Sequence, residues 1–264
     1  MKLGVIGAGN MAEAIIKGIL KKEILLPGDI LVSRRDKKAL EKWKTQLGVN
    51  ITEDNHRVVQ EAEIILLAVK PQMMWGVINE IKDLVKKEQL LITIAAGKTI
   101  KWYEENFDKE IHLIRAMPNT PAMVGEGCTG YCINDKVTEE EQGKAKEILE
   151  SYGTCYYLQE TLMDTYGALA GSGPAFVFLF MEALADGAVL NGMPRQMAYE
   201  IAAQTILGSG KLWKETKKHP GELKDMVCSP GGTTICGIKA LEEKGMRASV
   251  IEAINSCVEK SKKL

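Results

Sequence analysis

Short apolar runs alternate with helical patterns over the first part of the chain, an alternation that predicts a doubly wound α/β sheet. Met1 to Ile6 is the first run, followed by a turn from Gly7 to Ala12 and a helical pattern through Ala14, Ile15, Gly18 and Ile19. Further strand-like runs lie at Asp29 to Val32, Glu63 to Val69, Leu90 to Ile94 and His112 to Ala116. The last three close on Lys70-Pro71, Ala95-Ala96-Gly97 and Met117-Pro118-Asn119-Thr120-Pro121. Glu126 to Ile133 and Thr154 to Leu158 flank a charged helix, Thr138 to Ser151, and complete the far edge of the sheet. After Glu160 the texture changes, and Leu162 to Leu264 reads as helices only: Pro174 to Asn191, Arg195 to Trp213, and Thr234 to Lys262 in one or two pieces. The expected division is therefore a sheet domain over residues 1–161 and a helical domain over 162–264.

The helix from Pro174 to Asn191 is apolar nearly all round, so it must be covered on every side. A partner subunit or the first domain would do this, and the small size of the helical half favours the partner. The methionines of that half, among them Met181, Met193 and Met197, read as core filling.

Composition narrows the partners. Of 264 residues, 45% are hydrophobic, and 34 Lys and Arg nearly balance 35 Asp and Glu, so no global field invites nucleic acid or an anionic membrane. The expected partner is a small molecule. Six cysteines at 128, 132, 155, 228, 236 and 257 form no C-x-x-C, and His56, His112 and His219 lie far apart, so no metal site is expected. Free thiols point to a reducing compartment, the cytoplasm. Neither an export signal nor a membrane span is read, since Glu182 and Asp186 interrupt the most apolar helix.

Gly7-Ala8-Gly9-Asn10-Met11-Ala12 has the spacing G-x-G-x-x-A directly after the first strand. The first glycine makes the turn, the second admits a pyrophosphate to the backbone, and the third small residue lets helix and strand pack closely. This defines the first domain as Rossmann-type. Where an NAD enzyme usually places an acid after the second strand, the chain reads Ser33-Arg34-Arg35. Forked guanidinium donors suit a 2′-phosphate and favour NADP(H) over NAD(H). The alternative is a pair of surface arginines, with Asp36 available to a ribose. Loops after parallel strands rim a ligand at their carboxyl ends, so Lys70 and Asn119 are candidates there, against a solvated charge and a plain turn former.

A second anion-binding pattern lies late, at Ser229-Pro230-Gly231-Gly232-Thr233-Thr234. The N–H groups of Gly231, Gly232, Thr233 and Thr234 could converge at the start of a helix near Thr234, which suits a small carboxylate. An ordinary turn with a threonine cap is the competing reading.

These motifs together resemble the pyrroline-5-carboxylate reductase family over essentially the whole chain. The likeness rests on the Gly7 to Ala12 turn, Ala68-Val-Lys-Pro-Gln72, Arg115-Ala-Met-Pro-Asn-Thr-Pro121, Gly171-Ser-Gly-Pro-Ala175, Glu182-Ala-Leu-Ala-Asp186, Ser229 to Thr234 and Lys239-Ala-Leu-Glu242. It implies reduction of 1-pyrroline-5-carboxylate to L-proline by hydride from NADPH, the last step of proline biosynthesis, with NADH as donor left open. It implies a helical domain that forms a homodimer, and members are often rings of five dimers. By the same resemblance Gly7 to Ala12 hold the pyrophosphate, and Ser33, Arg34, Arg35 and Asn55 meet the 2′-phosphate and ribose. Ala68, Val69, Lys70, Pro71 and Ala95 rim the cofactor, with Pro118 and Asn119 nearer the nicotinamide. Ser229, Gly231, Gly232, Thr233 and Thr234 take the substrate carboxylate, Thr234 meets the ring nitrogen as the catalytic hydroxyl, and Glu160 places an acid near the substrate. Ala170 and Cys228 depart slightly from the family's usual Ser and Thr.

Two rivals remain. A β-hydroxyacid dehydrogenase shares the two-domain plan but carries a Lys where this chain has Val177. A non-catalytic NADP(H)-binding regulator has no evident use for the late loop.

Overall fold

Eight strands form one sheet in the order β3-β2-β1-β4-β5-β6-β7-β8 in the computed structural model, which describes residues 1–263. The strands are β1 (Leu3–Ile6), β2 (Ile30–Ser33), β3 (Asn50–Thr52), β4 (Ile64–Leu67), β5 (Leu90–Thr93), β6 (His112–Met117), β7 (Gly127–Ile133) and β8 (Gly153–Tyr157). All neighbours run parallel except β6 and β7, where Arg115 faces Cys132 across an antiparallel pair. The order reverses at β1, flanked by β2 and β4, and such a reversal opens a crevice at the carboxyl ends of the strands.

Helices α1 (Asn10–Lys21), α2 (Lys37–Leu47), α3 (Asn55–Glu61), α4 (Pro71–Ile81), α5 (Ile100–Phe107) and α6 (Glu139–Glu150) alternate with the strands. Because β1 is buried on both faces, its residues split between two cores. Leu3 and Val5 pack with Ile15, Ile19, Leu40, Trp43 and Ile148 on one side. Ile6 joins Ile65, Leu91, Val58, Ile78 and Tyr103 on the other. The short β3 was not expected, since its three residues offer one apolar side chain, Ile51, and no alternation.

A short helix α7 (Met163–Tyr166) runs into a π-helical turn, Gly167–Gly171. Then come α8 (Gly173–Leu190), α9 (Arg195–Thr216), α10 (Pro220–Val227), α11 (Thr233–Glu243) and α12 (Met246–Ser261). The last predicted helix is in two pieces because Gly245, at φ +76°, ends the first. The chain packs as two units, Met1–Gly171 with the residues from Lys260 onward, and Ser172–Glu259.

In the second unit α8 and α9 pair, yet much of their apolar surface stays open: Phe178 is 60% exposed, Leu179 67% and Leu190 87%. A span had not been expected here. By length and composition alone, however, the 31-residue run Glu160–Leu190 is long and apolar enough to cross a membrane, because its few acids do not offset so many large aliphatic and aromatic side chains.

Candidate active site

At the end of β1 the chain turns on Gly7, whose φ of +103° is one that side chains resist, and its N–H donates to the Ser33 carbonyl at 3.1 Å. A methyl group there would stand 2.7 Å from the Ala68 carbonyl oxygen. At Gly9 the reverse holds, with no atom within 4 Å of where a side chain would start. Gly9 caps α1 without a side-chain bond, so the first-turn N–H groups and the positive end of the dipole face open space. Ala12 is buried and lets α1 lie close on the sheet, while Asn10 is exposed and Met11 half-buried. Space, donors and dipole together fit a pyrophosphate.

Beside this turn is a cleft of about 300 Å³ lined by Gly7, Ser33, Arg34, Arg35, Asn55 and Val69. Arg35 is exposed, and Arg34 Nη1 donates to the Ala8 carbonyl at 2.8 Å, which holds that guanidinium against the glycine turn. Ser33 is buried, and its hydroxyl donates to Asn55 Oδ1 at 2.6 Å while Asn55 Nδ2 donates to Glu80 Oε2 at 3.0 Å. Both side chains thus brace the floor of the cleft, and the donors free for a 2′-phosphate are arginine N–H groups.

The three loops after β4, β5 and β6 lie at the same carboxyl edge. The Ala68 N–H donates to the Ile6 carbonyl at 2.8 Å, Val69 is half-buried, Lys70 is exposed, and Pro71 starts α4. Ala95 is buried, and its N–H reaches Thr93 Oγ1 at 3.4 Å. Thr93 Oγ1 also lies 2.6 Å from Tyr103 Oη, and burial pushes the Tyr103 phenol up to about 12 against that bond and the nearby Arg115. Pro118 is half-buried. Asn119 is more than a turn former, since its Oδ1 accepts from the Cys128 N–H at 2.8 Å and its Nδ2 donates to the Ala170 carbonyl at 2.9 Å. That amide joins the loop after β6 to the π-helical turn.

Glu160 sits in this same unit and makes a contact that its neighbours in sequence do not suggest. Its Oε1 accepts from the first N–H of α5, at Ile100, at 2.8 Å and from Arg115 Nη1 at 2.9 Å. The Arg115 side chain is 5% exposed. Sequence reading missed its role, though a lone arginine inside the apolar run His112 to Ala116 was the available signal.

In the helical unit, Gly231 has φ +67° and the Gly232 N–H donates back to the Ser229 carbonyl at 3.0 Å. Gly232 is the cap of α11 and makes no side-chain bond, so Thr233 and Thr234 are first-turn residues and neither caps the helix. The bond to Ser229 also removes the Gly232 N–H from the expected set of anion donors. Gly231, Thr233 and Thr234 N–H groups, with the Ser229 and Thr234 hydroxyls, remain for a carboxylate. The six cysteines are free, and no cluster of metal-ligating side chains occurs among the described residues.

A glycine turn feeding an uncapped helix at the reversal of a parallel sheet, with arginines where the ribose of a dinucleotide would lie, defines an NADP-dependent oxidoreductase fold followed by a helical domain. Residues 160–264 match the model for pyrroline-5-carboxylate reductase dimerisation, and residues 2–97 match that for NADP oxidoreductase, coenzyme F420-dependent. Pyrroline-5-carboxylate reductase of Escherichia coli (strain K12) is 45% identical over 263 residues, covering 100% of this chain and 98% of the relative. A solved pyrroline-5-carboxylate reductase from Coxiella burnetii superposes with a TM-score of 0.94 at 35% identity, covering 99% and 97% of the two chains. The Plasmodium falciparum pyrroline carboxylate reductase with NADP bound gives 0.90 at 34% identity over 100% and 97%. The chain belongs to the pyrroline-5-carboxylate reductase family.

Proposed function

We propose that this chain reduces 1-pyrroline-5-carboxylate to L-proline with NADPH, the closing step of proline biosynthesis. The observation that carries this reading is full-length similarity to reductases of that name, at 45% identity in the E. coli relative. NADPH, when bound, supplies the hydride.

Gly7, Ala8, Gly9, Asn10, Met11 and Ala12 seat the pyrophosphate on the free N–H groups of α1. Arg34 and Arg35 supply donors to the 2′-phosphate from a floor set by Ser33 and Asn55, so NADH is the poorer donor. Ala68, Val69, Lys70, Pro71 and Ala95 form the rim, and Pro118 and Asn119 border the nicotinamide. In the helical unit Ser229, Gly231, Thr233 and Thr234 hold the substrate carboxylate, and the Gly232 bond to Ser229 shapes the loop. The Thr234 hydroxyl orients the ring nitrogen. A protonated imine is already an electrophile, so positioning is the main task and no strong acid is required.

We place the functional division at 161/162, a reading supported by a dimerisation match that begins at residue 160, while the packing division falls after Gly171. The helical half is a dimerisation domain, and its open apolar faces on α8 and α9 are what a second copy would cover. We further assign a ring of five dimers and a cytoplasmic location, on the family resemblance and the free thiols. Light scattering on the purified protein tests the ring, and a stable dimer would refute it.

The decisive assay follows NADPH consumption optically with and without racemic pyrroline-5-carboxylate. Substrate-dependent consumption is expected. Faster turnover of hydroxyacids than of the cyclic imine, or no turnover at all, would overturn the assignment.

A further inference from the structure

We infer that Glu160 is a positioning residue for the cofactor, acting through Arg115 and the start of α5, and not a group that touches the substrate. This rests on the reductase assignment above. One carboxylate oxygen accepts two donors from separate elements of the first unit, Ile100 N–H at 2.8 Å and Arg115 Nη1 at 2.9 Å. Ile100 ends the loop that begins at Ala95, and Arg115 precedes Met117-Pro118-Asn119 on β6. Glu160 therefore fixes the spacing of two loops of the cofactor rim with a single bridge.

Other bonds leave those loops little freedom elsewhere. Thr93 Oγ1 ties to Tyr103 Oη at 2.6 Å behind Ala95, and Asn119 links Cys128 to Ala170. Stability gives a weak reason for the pair. Arg115 is buried while Glu160 is partly exposed, such a pair is often no better than apolar side chains of the same volume, and Arg115 Nε finds no acceptor among the described residues. Cys132, which faces Arg115 across the β6–β7 pair, is pushed up to about 12 by its own burial, with Glu160 adding to the rise and Arg115 opposing it. A buried arginine charge held by a carboxylate that bridges two ligand loops fits a role in holding geometry.

The test compares wild type, Glu160→Gln, Glu160→Ala, Arg115→Met and the double variant Glu160→Ala/Arg115→Met as full-length enzymes. The readouts are Kd for NADPH without substrate, kcat, and KM for pyrroline-5-carboxylate. Glu160→Ala is expected to lower kcat about 10- to 100-fold, the scale of a displacement near 1 Å at the reacting atoms, and to weaken NADPH binding with little change in substrate KM. Glu160→Gln keeps an oxygen for both donors and is expected to recover most of the loss. The double variant should be no worse than the poorer single, since either change opens the same bridge. A rise in substrate KM with NADPH affinity intact, or losses that multiply in the double variant, would overturn the inference. If Arg115→Met fails to fold, the Glu160→Gln and Glu160→Ala pair decides by the same KM and Kd readouts. Failure of the wild type on pyrroline-5-carboxylate would strike the reductase assignment instead, and the NADPH affinities of the variants would still decide whether the bridge positions the cofactor.

Discussion

Gly232→Ala offers a sharp probe of the late loop. Gly232 has φ −75°, so alanine is allowed on the backbone, but its methyl carbon would stand 2.3 Å from Ser229 Oγ and 3.1 Å from the Ser229 carbonyl oxygen. The hydroxyl is the movable partner, and rotating it away costs about 0.5–1.5 kcal/mol, a small change in stability. The consequence for binding is larger. A hydrogen bond to a charged carboxylate is worth about 1.5–3 kcal/mol, so losing the Ser229 contact should raise KM for pyrroline-5-carboxylate about 10- to 150-fold. Steady-state kinetics at saturating NADPH, with a thermal melt and NADPH Kd as controls, reads this directly. Ser229→Ala removes the same hydroxyl without the clash and should show a similar KM. An unchanged substrate KM in Gly232→Ala, or a parallel loss of NADPH affinity, would refute the placement of the carboxylate in this loop.

At the other end of the reaction, Gly7→Ala should abolish measurable NADPH binding, because the methyl group meets the Ala68 backbone at 2.7 Å at a φ of +103° that alanine resists; wild-type affinity by fluorescence titration would contradict this. Thr234→Ala should lower kcat for the imine while leaving NADPH Kd alone, and unchanged kcat and KM would remove Thr234 from the mechanism. Burial raises the Glu141 carboxyl, but bonds from Thr138 and His112 outweigh it and hold the group below its ordinary 4.5. Its contribution is therefore present above that value and fades as pH falls through the lower folded value, so wild type should exceed Glu141→Gln by about 1 kcal/mol near neutrality and converge with it in acid. A gap that does not shrink as pH falls below 4.5, read by chemical denaturation, would refute the linkage. Leu179→Asp, at a position 67% exposed in the single chain, should leave helix content intact by circular dichroism but shift sedimentation to monomer; an unaltered dimer would place the contact elsewhere.

Local signals were the legible ones. The turn from Gly7 to Ala12 could be read because glycine spacing, strand and helix are adjacent in sequence, and the first domain followed from it. The loop at Ser229 to Thr234 was legible as a turn feeding a helix, but not the bond that withdraws the Gly232 N–H or makes glycine the cap. Glu160 shows the limit most clearly, since its partner Arg115 lies 45 residues away and its other partner is a backbone N–H that any residue possesses. Ser33 was legible as a polar group at the ribose end and Asn55 only through the family resemblance, while their bond to each other depends on how β2 and α3 are brought together. The π-helical turn at Gly167–Gly171 left no trace in the pattern, because its residues would suit an ordinary helix equally well.

The run from Glu160 to Leu190 bears on the life of the chain before it becomes an enzyme. A single newly made copy carries, in one continuous segment, enough apolar helix to pass for a membrane anchor. In the single chain Met163, Ala168 and Ala185 of that run are already buried, while large side chains such as Leu179 and Leu190 stay open to a second copy. The midpoint of thermal unfolding should rise with protein concentration, since folded chain is drawn off by pairing. Scarcity, on this view, is itself a destabilising condition for the reductase.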